Sequence, residues 1–123
     1  MIQTILSWLS GYPGLESLTP ERLAPEPGSA GLYCLGRQLL RRDTDILGNE
    51  KQRLRLSFRL TVHCADSAMP QRLLDLARWV TDTAPRLGED QTVFCGEGKL
   101  TRDTGHGTAR YDTGIIFEFT EVV

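Results

Sequence analysis

A chain of 123 residues fits one domain and leaves no room for a second. Its 40% apolar and 24% charged residues exclude disorder over most of the length, and a formal net charge of -2 excludes a global drive toward nucleic acid or anionic membrane. Three widely spaced cysteines, Cys34, Cys64 and Cys95, with no C-x-x-C pair, exclude a disulfide framework; among apolar neighbours they read as small buried hydrophobes in a reducing compartment.

Residues 1–10 place Ile2, Ile5, Leu6 and Leu9 at helical spacing with Trp8 beside the stripe, and Gly11 and Pro13 stop the run. So short a helix must dock to persist. It lacks a basic leader region and is too short to span a bilayer, so no secretion or membrane signal is expected and the protein is expected in the cytoplasm. From 11 to 31, Pro13, Pro20, Pro25 and Pro27 are interspersed with Gly11, Gly14, Gly28 and Gly31. Proline removes backbone donors, so this stretch reads as an irregular connector with one edge strand around 15–18.

Two strand signals of mixed pattern come next, 32–34 and 37–46. The clearest element is 52–64, where Leu54, Leu56, Phe58, Leu60, Val62 and Cys64 alternate with Arg53, Arg55, Ser57, Arg59, Thr61 and His63. Period-two alternation puts one face on the core and the other toward water or a partner. Gly48 and Asn49 supply residues suited to positive φ in the turn. A three-residue loop over 48–50 sets Asp45 opposite Arg53 and Asp43 opposite Arg55, each pair contributing about 0.2–1 kcal/mol.

Residues 67–84 form the second helix, with Met69, Leu73, Leu76, Ala77 and Val80 on the buried stripe and Arg72, Asp75 and Asp82 facing out. Pro70 suits its first turn and Asp66 or Ser67 caps it. Trp79, partly off the stripe, reads as an edge-of-core residue, with an interface anchor as the rival. Strands at 91–101 and 111–123 close the chain around an exposed tip at 102–110, R-D-T-G-H-G-T-A-R. The expected fold is α+β: a small antiparallel-rich sheet of about four or five strands with two helices packed on one face.

Chemistry is sparse. Asp103-Thr104-Gly105 and Asp112-Thr113-Gly114 both spell the D-T-G of aspartic proteases, where two close carboxylates share a proton. Neither follows a buried apolar strand, and both read as turn-forming residues. His63 and Cys64 are strand neighbours that face opposite ways, and His106 sits in the tip, a poor metal cage. No nucleophile elbow or phosphate loop occurs. Gly96 and Gly98, in C-G-E-G-K, read as a β-bulge. No catalytic residue, cofactor or metal is therefore expected. Arg37, Arg41, Arg42, Arg53, Arg55 and Arg59 all fall in the hairpin; they are either a solvated face balanced by Asp43 and Asp45 or a complementary partner surface. Interleaved aromatics for base stacking are absent from that face, so nucleic-acid contact is not expected beyond passage of DNA through a ring.

The segments E-P-G-S-A-G-L-Y (26–33), R-R-D-T-D-I-L-G-N (41–49), R-L-R-L-S-F-R-L (53–60) and Y-D-T-G-I-I-F-E-F (111–119) resemble small minor capsid or tail terminator-type proteins of siphophages and of Gram-positive prophages. The resemblance covers most of the chain in the same order of elements. It implies a virion structural protein at the head–tail junction or tail end, assembled in the host cytoplasm, self-associating as a hexameric ring and docking on tail tube or head connector proteins. No catalytic residue comes with the family. A ring subunit needs two different surfaces. The candidates are the face bearing Arg53, Arg55 and Arg59, the Pro/Gly connector, and the tip with Asp103, His106 and Arg110. The rival function is a small intracellular binding module of unknown ligand, with an enzyme third.

Overall fold

The computed structural model describes residues 2–12, 18–20, 29–64, 69–96, 99–103 and 109–122. They form α1 (Ile2–Leu9), β1 (Leu18–Pro20), β2 (Ser29–Thr44), β3 (Glu50–Cys64), α2 (Met69–Thr83), β4 (Glu89–Cys95), β5 (Lys99–Asp103) and β6 (Ala109–Val122). The fold is α+β. Four antiparallel strands, in the order β2-β3-β6-β4, make the body of one sheet; β1 extends it in parallel beside β2, and β5 pairs with β6 beyond the end of β4.

Everything registers on β3, which is paired with β2 on one side and β6 on the other along nearly its whole length. Its even positions, Leu54, Leu56, Phe58, Leu60 and Val62, are buried as the alternation requires. They meet Phe119, Phe117 and Ile115 of β6, each directly opposite a β3 partner. Ile5, Leu6 and Leu9 of α1 and Leu76 and Val80 of α2 close over that face in the same core cluster. Phe58 and Phe117 meet edge to face at 6.1 Å.

Both helices are held by aromatic side chains. Trp8 stacks on Trp79 at 5.4 Å, sets its edge against Phe117 at 5.8 Å, and donates its indole N–H to Thr83 Oγ1 at 3.0 Å. Tyr12 also packs on Trp79, tilted, at 5.2 Å. Trp79 is thus an edge-of-core residue that joins α1 to α2. Indole and phenol rings suit this position because the body is apolar and the tip remains wet. The side chains of Met69 and Leu73, and the capping residues Asp66 and Ser67, lie outside the described set.

Several sequence expectations shift. The signals at 32–34 and 37–46 are one 16-residue strand, interrupted by register shifts at Cys34/Gly36 and Leu39/Arg41. Each shift leaves one leucine, Leu35 or Leu40, as the extra residue of a bulge, and each bulge flips the parity of the residues beyond it. That is why the pattern looks mixed: Leu32 and Cys34 share the inner-facing register with Arg37 and Leu39, across from Leu60, Phe58, Leu56 and Leu54. Of the edge strand expected around 15–18, residues 15–17 lie outside the described set, and Leu18 is the first residue of β1. The single strand expected at 91–101 is divided into β4 and β5 around 96–98. Only 104–108 of the expected tip lie outside the described strands, since Arg102 and Asp103 belong to β5 and Ala109 and Arg110 to β6. Gly88 enters β4 where a Cβ would sit 2.5 Å from the Thr120 carbonyl oxygen, so no larger residue fits that approach.

The facing of β3 makes a direct prediction. Leu56 is 5% exposed and directly opposite Phe117. Leu56→Asp places a charge in that layer at a cost of at least a few kcal/mol, comparable to the whole stability of a domain. Circular dichroism and denaturant titration are expected to find it unfolded; a normal cooperative transition would show that the face tolerates charge.

Candidate interaction surfaces

The odd positions of β3 build the outer face, where Arg53 and Arg55 are met from β6 and β4 and Arg59 from β2. Arg55 donates Nε and one terminal nitrogen to Glu118 Oε1, at 3.2 and 2.8 Å, across the rung the two share. With side chains 40% and 29% exposed, this pair contributes at most about 1 kcal/mol. Arg53 donates to the Asp90 carbonyl at 2.6 Å and to Thr120 Oγ1 at 3.2 Å. Asp90 sits at φ 49, inside the register shift between Glu89 and Thr92, so the bulge turns that carbonyl toward Arg53. Arg59 lies 4.6 Å over the Tyr33 ring, its direct partner on β2.

The expected balance by Asp43 and Asp45 is corrected accordingly. Asp43 stands opposite Lys51, not Arg55, and bonds Arg41 at 2.6 Å; Asp45 lies in the turn and pairs with no strand residue. The loop spans 45–49, and Gly48 alone supplies positive φ there, at 85°. Asp45 organises it: its carboxylate accepts the Leu47 and Asn49 backbone N–H groups, both at 2.9 Å, while its own N–H donates to the Asn49 carbonyl.

Of the candidate interface residues, Arg53, Arg55, Arg59 and Arg110 share the outer-facing register, the last through its pairing with His63. The rung beyond Arg59 joins Thr61 to Asp112; Thr61 is fully buried although it lies on this face, and its hydroxyl and Asp112 Oδ1 have no hydrogen-bond partner among the described residues. Asp103 stands opposite Ala109, one position from Arg110, and its side chain, like His106 altogether, lies outside the described set. Neither D-T-G is a turn at its aspartate: Asp112, Thr113 and Gly114 are inside β6, where Thr113 donates to the Gly96 carbonyl at 2.6 Å, and Asp103 ends β5. Three β6 positions separate Ala109, the partner of Asp103, from Asp112, about 10 Å along the strand, which is too far for a shared proton. Burial pushes the Cys95 thiol up from its ordinary value, so the thiol stays protonated at neutral pH. Among the described residues no three of His, Cys, Asp and Glu converge as metal ligands.

Three features escape sequence reading. The first is the state of the sheet edges: β1 covers β2 only over Ala30–Leu32, and no described strand lies beyond β4. The second is a cavity of about 220 Å³ on the inner face, floored by Leu54, Leu56, Phe58 and Phe119, with Cys34, Arg37 and Glu121 at its rim. Cys34 is exposed there, contrary to expectation, because it lies on the β2 strip that the helices leave open. The third is the turn itself, which presents Ile46 at 101% and Leu47 at 85% exposure. The signal for it was legible: D-I-L-G-N puts two large apolar residues where a turn favours polar ones. A scan against known protein families finds no matching family model, and a search of curated proteins returns no match.

The turn carries a pH prediction. Hydrogen bonding, led by the Asn49 backbone N–H, holds the Asp45 carboxyl below its ordinary value of 3.8. A depressed folded-state pKa stabilises the turn above the unfolded value and withdraws that stabilisation as pH falls through the folded value. The Leu47 and Asn49 amide resonances are expected to titrate together with a midpoint below 3.8. A midpoint at or above that value would contradict this hydrogen bonding.

Proposed function

We propose that this chain is a structural virion assembly protein, a tail terminator-like subunit that acts at the head–tail junction by self-association and docking rather than by catalysis. The observation that carries this reading is a single sheet in which, among the described residues, no strand lies beside β2 past Leu32 or beyond β4, two unlike edges. An exposed edge is a row of unpaired N–H and C=O groups, a template for strand addition. Two different edges on one subunit favour head-to-tail contacts, and such contacts close into a ring when the rotation per subunit allows it. The resemblance over 26–33, 41–49, 53–60 and 111–119 points the same way, toward a hexameric ring passing DNA, stopping a tail tube and meeting a connector. Assembly belongs to the host cytoplasm, and the finished ring to the neck or tail of the particle.

Within that ring the outer face, with Arg53, Arg55, Arg59 and Arg110, is the docking surface, and Asp103 and His106 are assigned to it with them. Phe94, 63% exposed beside the β4 edge, adds an apolar contact at the seam.

Light scattering coupled to size exclusion, over a wide range of protein concentration and salt, tests this. A discrete ring-sized species that weakens with salt is expected. Arg55→Glu combined with Arg59→Glu is expected to keep the fold, because both side chains are partly exposed, and to shift the species to monomer. A variant that assembles like the parent would remove the arginine face from the interface. A parent that stays monomeric at every concentration would favour a small intracellular binding module instead.

A further inference from the structure

The turn at 45–49 and the inner-face cavity are a knob and a hole on one chain, and we propose that the Ile46–Leu47 tip of one copy seats in the Leu54/Leu56/Phe58/Phe119 cavity of the next. This rests on the self-association reading and names the surfaces that would meet.

The tip is built to project. Asp45 and Asn49 lock it by hydrogen bonds to the Leu47 and Asn49 amides and between their own backbones, so the exposure of Ile46 and Leu47 is not the result of a loose loop. Two adjacent large aliphatic side chains held wholly in water at a rigid apex are a standing cost that burial would remove. The cavity complements them in chemistry, since its floor is two leucines and two phenylalanines. It also complements them in size: about 220 Å³ exceeds the roughly 150 Å³ of an apolar cavity that admits benzene.

Charge is already balanced where the two would meet: Arg37 at the rim pairs with Glu121 at 3.0 Å, and Asp43 at the base of the turn pairs with Arg41 at 2.6 Å, so the contact is an apolar one.

A tip seated there belongs to a second copy. Phe58, across from the rim residue Cys34, lies eight β3 positions from Glu50 at the base of the turn, about 26 Å along a continuously paired strand. The tip therefore cannot fold back to the Cys34 rim of its own cavity without breaking the sheet. A knob and a hole on different parts of one surface make a heterologous contact.

Cys34 at the rim provides the test. In a Leu47→Cys variant, mild oxidation at an assembling concentration is expected to link position 47 of one copy to Cys34 of another, giving a covalent ladder on non-reducing gels and a linked peptide by mass spectrometry. A disulfide forms only when the two Cα atoms come within about 7 Å. Adding Cys34→Ser should abolish the ladder, and Leu74→Cys, an exposed position on α2, should give at least tenfold less product. Efficient linkage from Leu74→Cys, or none between 47 and 34 in a sample that scattering shows to be assembled, overturns the knob-and-hole contact and leaves the ring reading standing. A sample that remains monomeric at every concentration overturns both.

Discussion

The two-sided pairing of β3 is the constraint on which the rest of the molecule depends. Its hydrogen bonds are satisfied by β2 on one side and β6 on the other, so its strict alternation cannot slip by one residue without exchanging Leu54, Leu56, Phe58, Leu60 and Val62 for the arginines between them. That single register fixes the core layer, the place where α1 and α2 dock, and the row of cations on the opposite face. It also fixes what is left over. A sheet anchored at its centre leaves its unpaired groups at the edges, and among the described residues a three-residue β1 is the one strand that shields an edge.

Much of this was legible in the sequence, for a stated reason. β3 and β6 carry period-two patterns because each has one face on the core, and α1 and α2 carry helical stripes for the same cause. The regions that misled are those where another physics intervenes. The first bulge in β2 resets its parity, so Arg37 and Leu39 take inner positions that a regular strand would give to Gly36 and Gln38, and the second restores it beyond Leu39. Asp45 looks like a cross-strand partner for Arg53, but its carboxylate does more for the turn, where two backbone N–H groups await an acceptor. Arg55 then takes its counter-charge from Glu118, far away in sequence and invisible to any local pattern.

The candidate surfaces divide in the same way. Arg53, Arg55 and Arg59 could be placed on one face from spacing alone, and Arg110 joins them only through the β3–β6 register. The cavity under Cys34 and Arg37 depends on which strip of the sheet the helices leave open, a tertiary property with no sequence signature. Together these features describe a sheet whose strand pairing, among the described residues, is complete at its centre and partial at its edges. The arginines of the outer face are engaged by Glu118, Thr120, the Asp90 carbonyl and the Tyr33 ring, which holds their side chains in place.

The most direct test of the central claim is hydrogen exchange of backbone amides at low and high protein concentration. If the open edges join copies head to tail, amides in 33–44 of β2 and 89–95 of β4 gain protection as concentration rises, while those of β3 do not change. Edges that exchange equally fast at both concentrations, in a sample that assembles, would contradict edge-to-edge association and place the contact elsewhere on the molecule.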